Sequence, residues 1–224
     1  TKSRYWPFSW TGQEQRAVNA GPGSLTIQQE QIAQAIRAAV NEIETDCADT
    51  AYKASSRAYG TAGTTPFASD LSDPANSKKI LDDNGTPDSD RHMVINTTAG
   101  AKLRTLAQLT KVNEAGDNSL LRQGKLLDIH NFAIRESAKV KSHTKGTGAS
   151  YVLDGAHAAG ATTIAAKTGS GTILAGDIVV FQGDTNKYVV ASALSGGSFT
   201  INAPGLLAAH SDGDTITVGN SYTA

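Results

Sequence analysis

The side chains that could transfer protons, attack a carbonyl or hold a metal are thinly spread along this chain. Its five histidines are His92, His130, His143, His157 and His210. None has a His-x-x-x-His or cysteine partner, so each reads as a surface or core histidine rather than a ligand. Gly169-x-Gly171 lacks the third glycine of a dinucleotide loop and does not open a helix. No phosphate loop and no Gly-x-Ser-x-Gly elbow occurs. Asp82-Asp83-Asn84-Gly85 lacks the alternating acids and the distal glutamate of a calcium loop, so it reads as a turn. Asp212-Gly213-Asp214 reads as a hairpin turn on the same logic. Asp88 and Asp90 lie in a polar turn, without the apolar surroundings that a general acid needs. These residues predict no catalytic site, no cofactor and no metal.

Composition narrows the classes further. The hydrophobic fraction is 39% and the charged fraction 18%, ordinary for a folded domain of 224 residues. The net charge of -1 gives no electrostatic case for nucleic-acid binding. Residues 151–224 carry two basic against five acidic side chains, and the rest of the chain is close to balance. The single cysteine, Cys47, allows no disulfide within one chain and is expected as a buried thiol. No signal peptide is evident, and no apolar run reaches the roughly 20 residues of a membrane span. Without a secretory leader the sequon Asn96-Thr97-Thr98 carries no meaning. The apolar opening without Met suggests a gene product that starts earlier.

The elements that must position anything functional start with Leu25–Tyr59, which reads as one helix. Leu25, Ile32, Ile36, Val40, Ile43, Cys47 and Ala51 form a single stripe at helical spacing. Arg37, Asn41, Glu44 and Lys53 lie on its polar back. Thr26 with Gln29 is the expected capping box, and Gly60 the expected stop. Such a helix either lies across a sheet or spans a flat molecule and offers its polar side to a neighbour. Before it, Thr1–Asn19 carries Tyr5, Trp6, Phe8 and Trp10 and reads as an extended entry segment, with Pro7 at an edge position. Gly21-Pro22-Gly23 makes the turn.

Beyond Gly60 the pattern predicts a short helix through Lys78–Leu81, capped by Asp73 or Asn76. A strand Arg91–Asn96 follows. A helix capped by Thr97 or Thr98 runs through Leu103, Leu106 and Leu109. Leu126–Ile129 and Phe132–Arg135 read as a β-hairpin or a bent strand pair. From about Gly146 the periodicity becomes that of short strands: Thr162–Ala166, Ile178–Phe181, Tyr188–Ala191, Phe199–Asn202 and Thr215–Val218. Glycine and aspartate punctuate them, which predicts a small antiparallel barrel or sandwich.

Three blocks carry a resemblance. They are Lys79–Asn96 (Lys-Ile-Leu-Asp-Asp-Asn-Gly-Thr-Pro-Asp-Ser-Asp-Arg-His-Met-Val-Ile-Asn), Lys111–Gly116 through Leu121–Gly124, and His143-Thr-Lys-Gly-Thr-Gly148. On them the chain resembles the major capsid (coat) proteins of tailed bacteriophages and prophages, of the P-twenty-two coat type, a branch of the Hong-Kong-97-like capsid fold. The resemblance implies an α+β fold. Residues 1–71 would form a peripheral-domain segment with a spine helix over 25–59. Residues 72–148 would form a mixed α/β axial-domain segment, and 149–224 an inserted all-β domain. The family is longer at both ends, so the resemblance also implies truncation at both ends.

It implies no enzyme activity and no cofactor. Its partners would be other copies of the chain in an icosahedral shell, with a scaffolding protein and portal during assembly. There would be no membrane, and phage DNA would be enclosed without sequence-specific binding. The site would be the virion, with synthesis in the bacterial cytoplasm. Tyr5, Trp6 and Trp10 are candidate subunit-interface residues because aromatics are enriched at interface centres; Arg37 and Glu44 join them from the polar back of the long helix. Two other readings stand beside this one. The first is a phage tail or adhesive module whose β-domain binds a surface ligand. The second is an enzyme with a dispersed site, which requires a deep pocket and perturbed acids or histidines.

Overall fold

The computed structural model describes residues 3–7, 9–19, 24–111, 119–124 and 128–223. The chain divides into two units, Thr1–Ala48 and Asp49–Ala224. The turn at residues 21–23, residues 112–116 of the second resemblance block, and Leu126–Leu127 of the expected hairpin lie outside the described residues.

In the first unit the entry segment is not extended throughout. Residues 9–11 lead into α1 (Gly12–Asn19). Thr11 and Glu14 form a capping box: the Thr11 backbone N–H donates to Glu14 Oε2 at 2.7 Å, and the Glu14 N–H returns to Thr11 Oγ1 at 3.3 Å. The Thr-x-x-Glu signature was present in the sequence, and the aromatic richness just before it hid it. Then α2 runs over Ser24–Lys53, 30 residues. It starts before Thr26, so Thr26 and Gln29 lie inside the helix and do not cap it. It stops six residues short of Tyr59. Ser55 N–H bonds back only to Tyr52 O at 3.4 Å, and the chain then leaves as β1 (Arg57–Ala58).

In the second unit two cores form. The α/β part contains α3 (Ser72–Asp83), β2 (His92–Ile95), α4 (Thr97–Thr105), α5 (Ala107–Thr110), α6 (Ser119–Gln123), β3 (Asp128–Ile129) and β4 (Phe132–Glu136). The sheet order is β2-β4-β3, with β2 parallel to β4 and β3–β4 an antiparallel hairpin. His130 and Asn131, both at positive φ, form the two-residue turn of that hairpin. Neither Asp73 nor Asn76 caps α3. Leu71 holds the N-cap position, and Asp73 instead accepts the Phe67 backbone N–H at 2.8 Å. The cap of α4 is Asn96, which accepts the Ala99 N–H, not Thr97 or Thr98.

The expected single helix through Leu109 is broken at Leu106, whose φ and ψ are −64° and 126°. Leucines three apart slip backward round a 3.6-residue helix, so one straight helix would carry the third off the core. The break returns all three, and Leu103, Leu106 and Leu109 are buried with Phe67, Ile95 and Ile134.

The β-rich part contains β5 (Ser142–His143), β6 (Tyr151–Leu153), β7 (Thr163–Lys167), β8 (Ile178–Phe181), β9 (Lys187–Ser195), β10 (Ser198–Ile201), β11 (Thr215–Val218) and β12 (Tyr222–Thr223). Strands β9-β10-β7-β6-β11-β8 follow one another, and β8 pairs again with β9, so six antiparallel strands close a barrel. Alternate side chains fill it: Leu153, Ile164, Val179, Phe181, Phe199 and Ile201 are all buried. β1 pairs with the start of β9 through Arg57↔Tyr188 and Ala58↔Lys187. That pairing explains why the helix cannot continue to Tyr59. β5 and β12 form a separate two-stranded pair. The fold is mixed α+β with a six-stranded antiparallel barrel.

Candidate assembly surface

The apolar stripe of α2 points outward. Ile32 is 47% exposed, Ile36 60%, Val40 53% and Ile43 60%. Cys47 on the same stripe is also exposed, which corrects the expectation of a buried thiol. At 100° per residue these five side chains fall within about 80° of the helix circumference. The stripe runs about 23 Å from Ile32 to Cys47 at 1.5 Å per residue. The half-buried side of α2 carries small and polar residues: Gln28, Gln31, Ala35, Ala38, Glu42 and Thr45. Gln31 Oε1 on that side is buried without a hydrogen-bond partner. Within this unit, then, α2 turns its weaker apolar side inward and its isoleucine ridge to solvent.

The sequence-derived interface residues fall on both parts of this unit. Tyr5 is 85% exposed, whereas Trp6 and Trp10 are half-buried. Trp10 Nε1 is buried without a partner. Arg4 binds Glu42 at 3.1 Å and so ties the N-terminal segment to α2. Arg37 and Glu44 are exposed on one flank of the ridge, two turns apart. The periodicity revealed the ridge, but no sequence signal tells which face of a helix a fold covers.

Two buried polar clusters in the second unit are the places where chemistry could have been hidden. Asp177, just before β8, is fully buried. It accepts His143 Nε2 at 2.8 Å, the Leu174 N–H at 2.7 Å, and the Gly146 N–H at 3.1 Å to each oxygen. The other ring nitrogen of His143 meets Tyr52 Oη at 3.3 Å, and Tyr52 Oη reaches Asp49 at 3.4 Å. The Tyr52, His143 and Tyr222 rings pack with centroids 5.3–6.3 Å apart. Burial pushes the Tyr52 and Tyr222 hydroxyls above the usual tyrosine range. The Lys53 ammonium, 2.8 Å away, holds the Asp49 carboxyl below its ordinary value.

Tyr52, His143 and Tyr222 border a cleft of about 680 Å³ that is also lined by Tyr59, Met93 and Val94. Both nitrogens of His143 and both oxygens of Asp177 are engaged, so the relay works as a pin between the last turn of α2, β5 and the strand-leading loop of β8.

This pin accounts for the block His143–Gly148, whose role the sequence did not disclose. A Cβ on Gly146 would lie 2.1 Å from Thr172 O and 2.8 Å from Asp177 Oδ2. Only glycine lets the backbone approach the buried carboxylate. The block Lys79–Asn96 has a similar cause. Arg91, 3% exposed in its side chain, binds Asp82 at 2.7 Å, Thr86 O at 2.6 Å and Pro87 O at 2.9 Å. It stitches the Asp82–Pro87 turn to the start of β2. That guanidinium, followed by the Lys78 ammonium, lowers the Asp82 pKa.

In the second cluster His210 is buried against the Phe181 ring, with Asp214 at 3.4 Å and Asp184 at 3.8 Å. Tyr188 donates to Asp184 at 2.6 Å and accepts the Leu207 N–H at 3.1 Å. Burial, followed by the Asp184 carboxylate, pushes the Tyr188 hydroxyl up to about 12. Of the remaining histidines, His92 is exposed and binds Asp90, and His130 sits in the hairpin turn. Among the described residues no group of three or more His, Cys, Asp or Glu side chains could hold a metal ion. No described helix is long and apolar enough to cross a membrane.

No family model matches this chain, and no curated protein does. A solved structure from Mycobacterium phage Che8 is similar at a TM-score of 0.45 and 16% identity. The alignment covers 91% of this chain and 60% of that one, so the chain spans about three fifths of the length of that structure.

Proposed function

We propose that this chain is a structural subunit of a self-assembling shell, the coat of a tailed phage or prophage head. The observation that carries the reading is the solvent-facing ridge Ile32–Ile36–Val40–Ile43 on a 30-residue helix. A row of exposed isoleucines is an interaction surface rather than a solvated face. Two of the three sequence blocks that resemble coat proteins add support, because each has a structural cause in the fold: the Arg91 stitch and the Asp177 pin.

On this reading the partners are copies of the chain, with a scaffolding protein and portal during construction. The near-neutral surface lets many copies approach without strong repulsion. Weak contacts repeated by symmetry are enough to close a shell. The work is assembly, not catalysis, and the enclosed DNA is held without sequence readout in the virion.

The test is electron microscopy with sedimentation on the complete gene product, co-expressed with the adjacent scaffolding gene. Closed shells of uniform diameter are expected. The paired substitution Ile36→Asp and Ile43→Asp should abolish them while leaving a folded monomer by circular dichroism. A fixed small oligomer under all conditions would overturn the reading in favour of a tail or adhesive component.

A further inference from the structure

We infer that the α2 ridge pairs with the same ridge of a second copy, antiparallel about a two-fold axis near Ala39 and Val40; this rests on the self-assembly reading above. Two independent features of the sequence, placed on one exposed surface by the fold, point to it. The first is the spacing of the ridge. Ile32, Ile36, Ile43 and Cys47 are symmetric about the midpoint between residues 39 and 40. A two-fold there sets Ile36 against Ile43 of the second copy, and Ile32 against its Cys47. Val40 faces Val40 of the second copy, one residue or about 1.5 Å out of level, at the 8–10 Å separation typical of packed helix pairs.

The second feature is charge. In an antiparallel pair each flank of a ridge meets the same flank of the other helix. The flank with Arg37 and Glu44 is exposed, and the two side chains lie seven residues apart at nearly one azimuth. Reversal of the second helix therefore brings Arg37 against Glu44 and Glu44 against Arg37. Their register differs from that of the isoleucines by two residues, about 3 Å, which both long side chains can span. The ridge is thus self-complementary in shape and in charge. In a parallel pair this flank would meet the opposite one, which carries Glu42 and Asp46.

The contact is short for a stable dimer, which normally buries about 800 Å² per partner. It fits a contact that is weak alone and counts through repetition.

The native cysteine makes the geometry testable by oxidative cross-linking of the full chain. In the antiparallel pair the two Cys47 residues sit about 22 Å apart along the axis, too far for a disulfide. Residue 33 of one copy instead lies beside Cys47 of the other. Ala33→Cys should therefore cross-link to a dimer on mild oxidation. Wild type should not, nor should Ala33→Cys combined with Cys47→Ser. Arg37→Glu or Glu44→Arg alone, in the Ala33→Cys background, should slow cross-linking about tenfold at low salt, and the two together should restore it.

Rapid Cys47–Cys47 cross-linking of wild type would overturn the antiparallel arrangement. So would an unlinked Ala33→Cys protein that still forms shells, a result that leaves the assembly reading standing. Loss of both cross-linking and shells would count against both.

Discussion

Removing the carboxylate of Asp177 should cost far more than removing any surface acid. Asp177→Ala leaves three donors without an acceptor: His143 Nε2, the Leu174 N–H and the Gly146 N–H. The site is fully closed, since the Asp177 side chain has no exposed surface and His143 is buried. An orphaned buried donor costs about 1–3 kcal/mol, so three together should cost about 3–9 kcal/mol. That is a large part of the roughly 5–15 kcal/mol by which a domain is stable. At about 2–4 °C per kcal/mol for a unit of this size, melting should fall by about 6–36 °C.

The assay is thermal unfolding followed by circular dichroism, with Asp83→Asn as the comparison. Asp83 only pairs with exposed Lys79 on the same helix, worth about 0.5 kcal/mol, so its loss should move melting by about 2 °C or less. An Asp177→Ala protein melting within about 3 °C of wild type would refute the pin and with it the explanation of Gly146.

Two further outcomes follow from single residues. Tyr188 is held protonated to about 12 in the fold, while an unfolded tyrosine ionises near 10. The folded state therefore keeps a proton that the unfolded state loses, and stability present below about pH 10 should drain away as pH rises toward 12. Tyr188→Phe should flatten that part of a stability-against-pH curve, and an unchanged slope would contradict it. Cys47, exposed on the ridge, should react with an aromatic disulfide reagent within about threefold of the unfolded rate when the chain is unassembled. A rate a hundredfold slower would mean that the ridge is covered.

How far the sequence reached depended on how local each decision was. Five barrel strands were legible because alternation and glycine turns are read within ten residues; β8 and β11 match at both ends. Strand β2 was legible for the same reason, as were β3 and β4, although the sequence left them open between a hairpin and a bent strand pair. The helix α2 was legible as a stripe of 3.6-residue period, and the exposure of Arg37 and Glu44 beside that stripe came from the structure. The α1 capping box was local as well, but the aromatic run before it drew the reading toward an extended segment.

What the sequence determined by itself was the class of each element: a long amphipathic helix, a small α/β part, a run of short strands, and the lack of any recognisable catalytic motif. The tertiary structure decided the rest. It ended α2 at Lys53, because Arg57 and Ala58 gain hydrogen bonds on β9, more than a hundred residues away. It closed the barrel through β8 and β9, broke the helix at Leu106 to bury three leucines, and brought His143 to Asp177. It also turned the isoleucine ridge of α2 outward and left Cys47 exposed. The physical reason is common to all of these. Periodicity reports that an apolar stripe or an unpaired strand edge exists, but which surface satisfies it is fixed by contacts between residues distant in sequence.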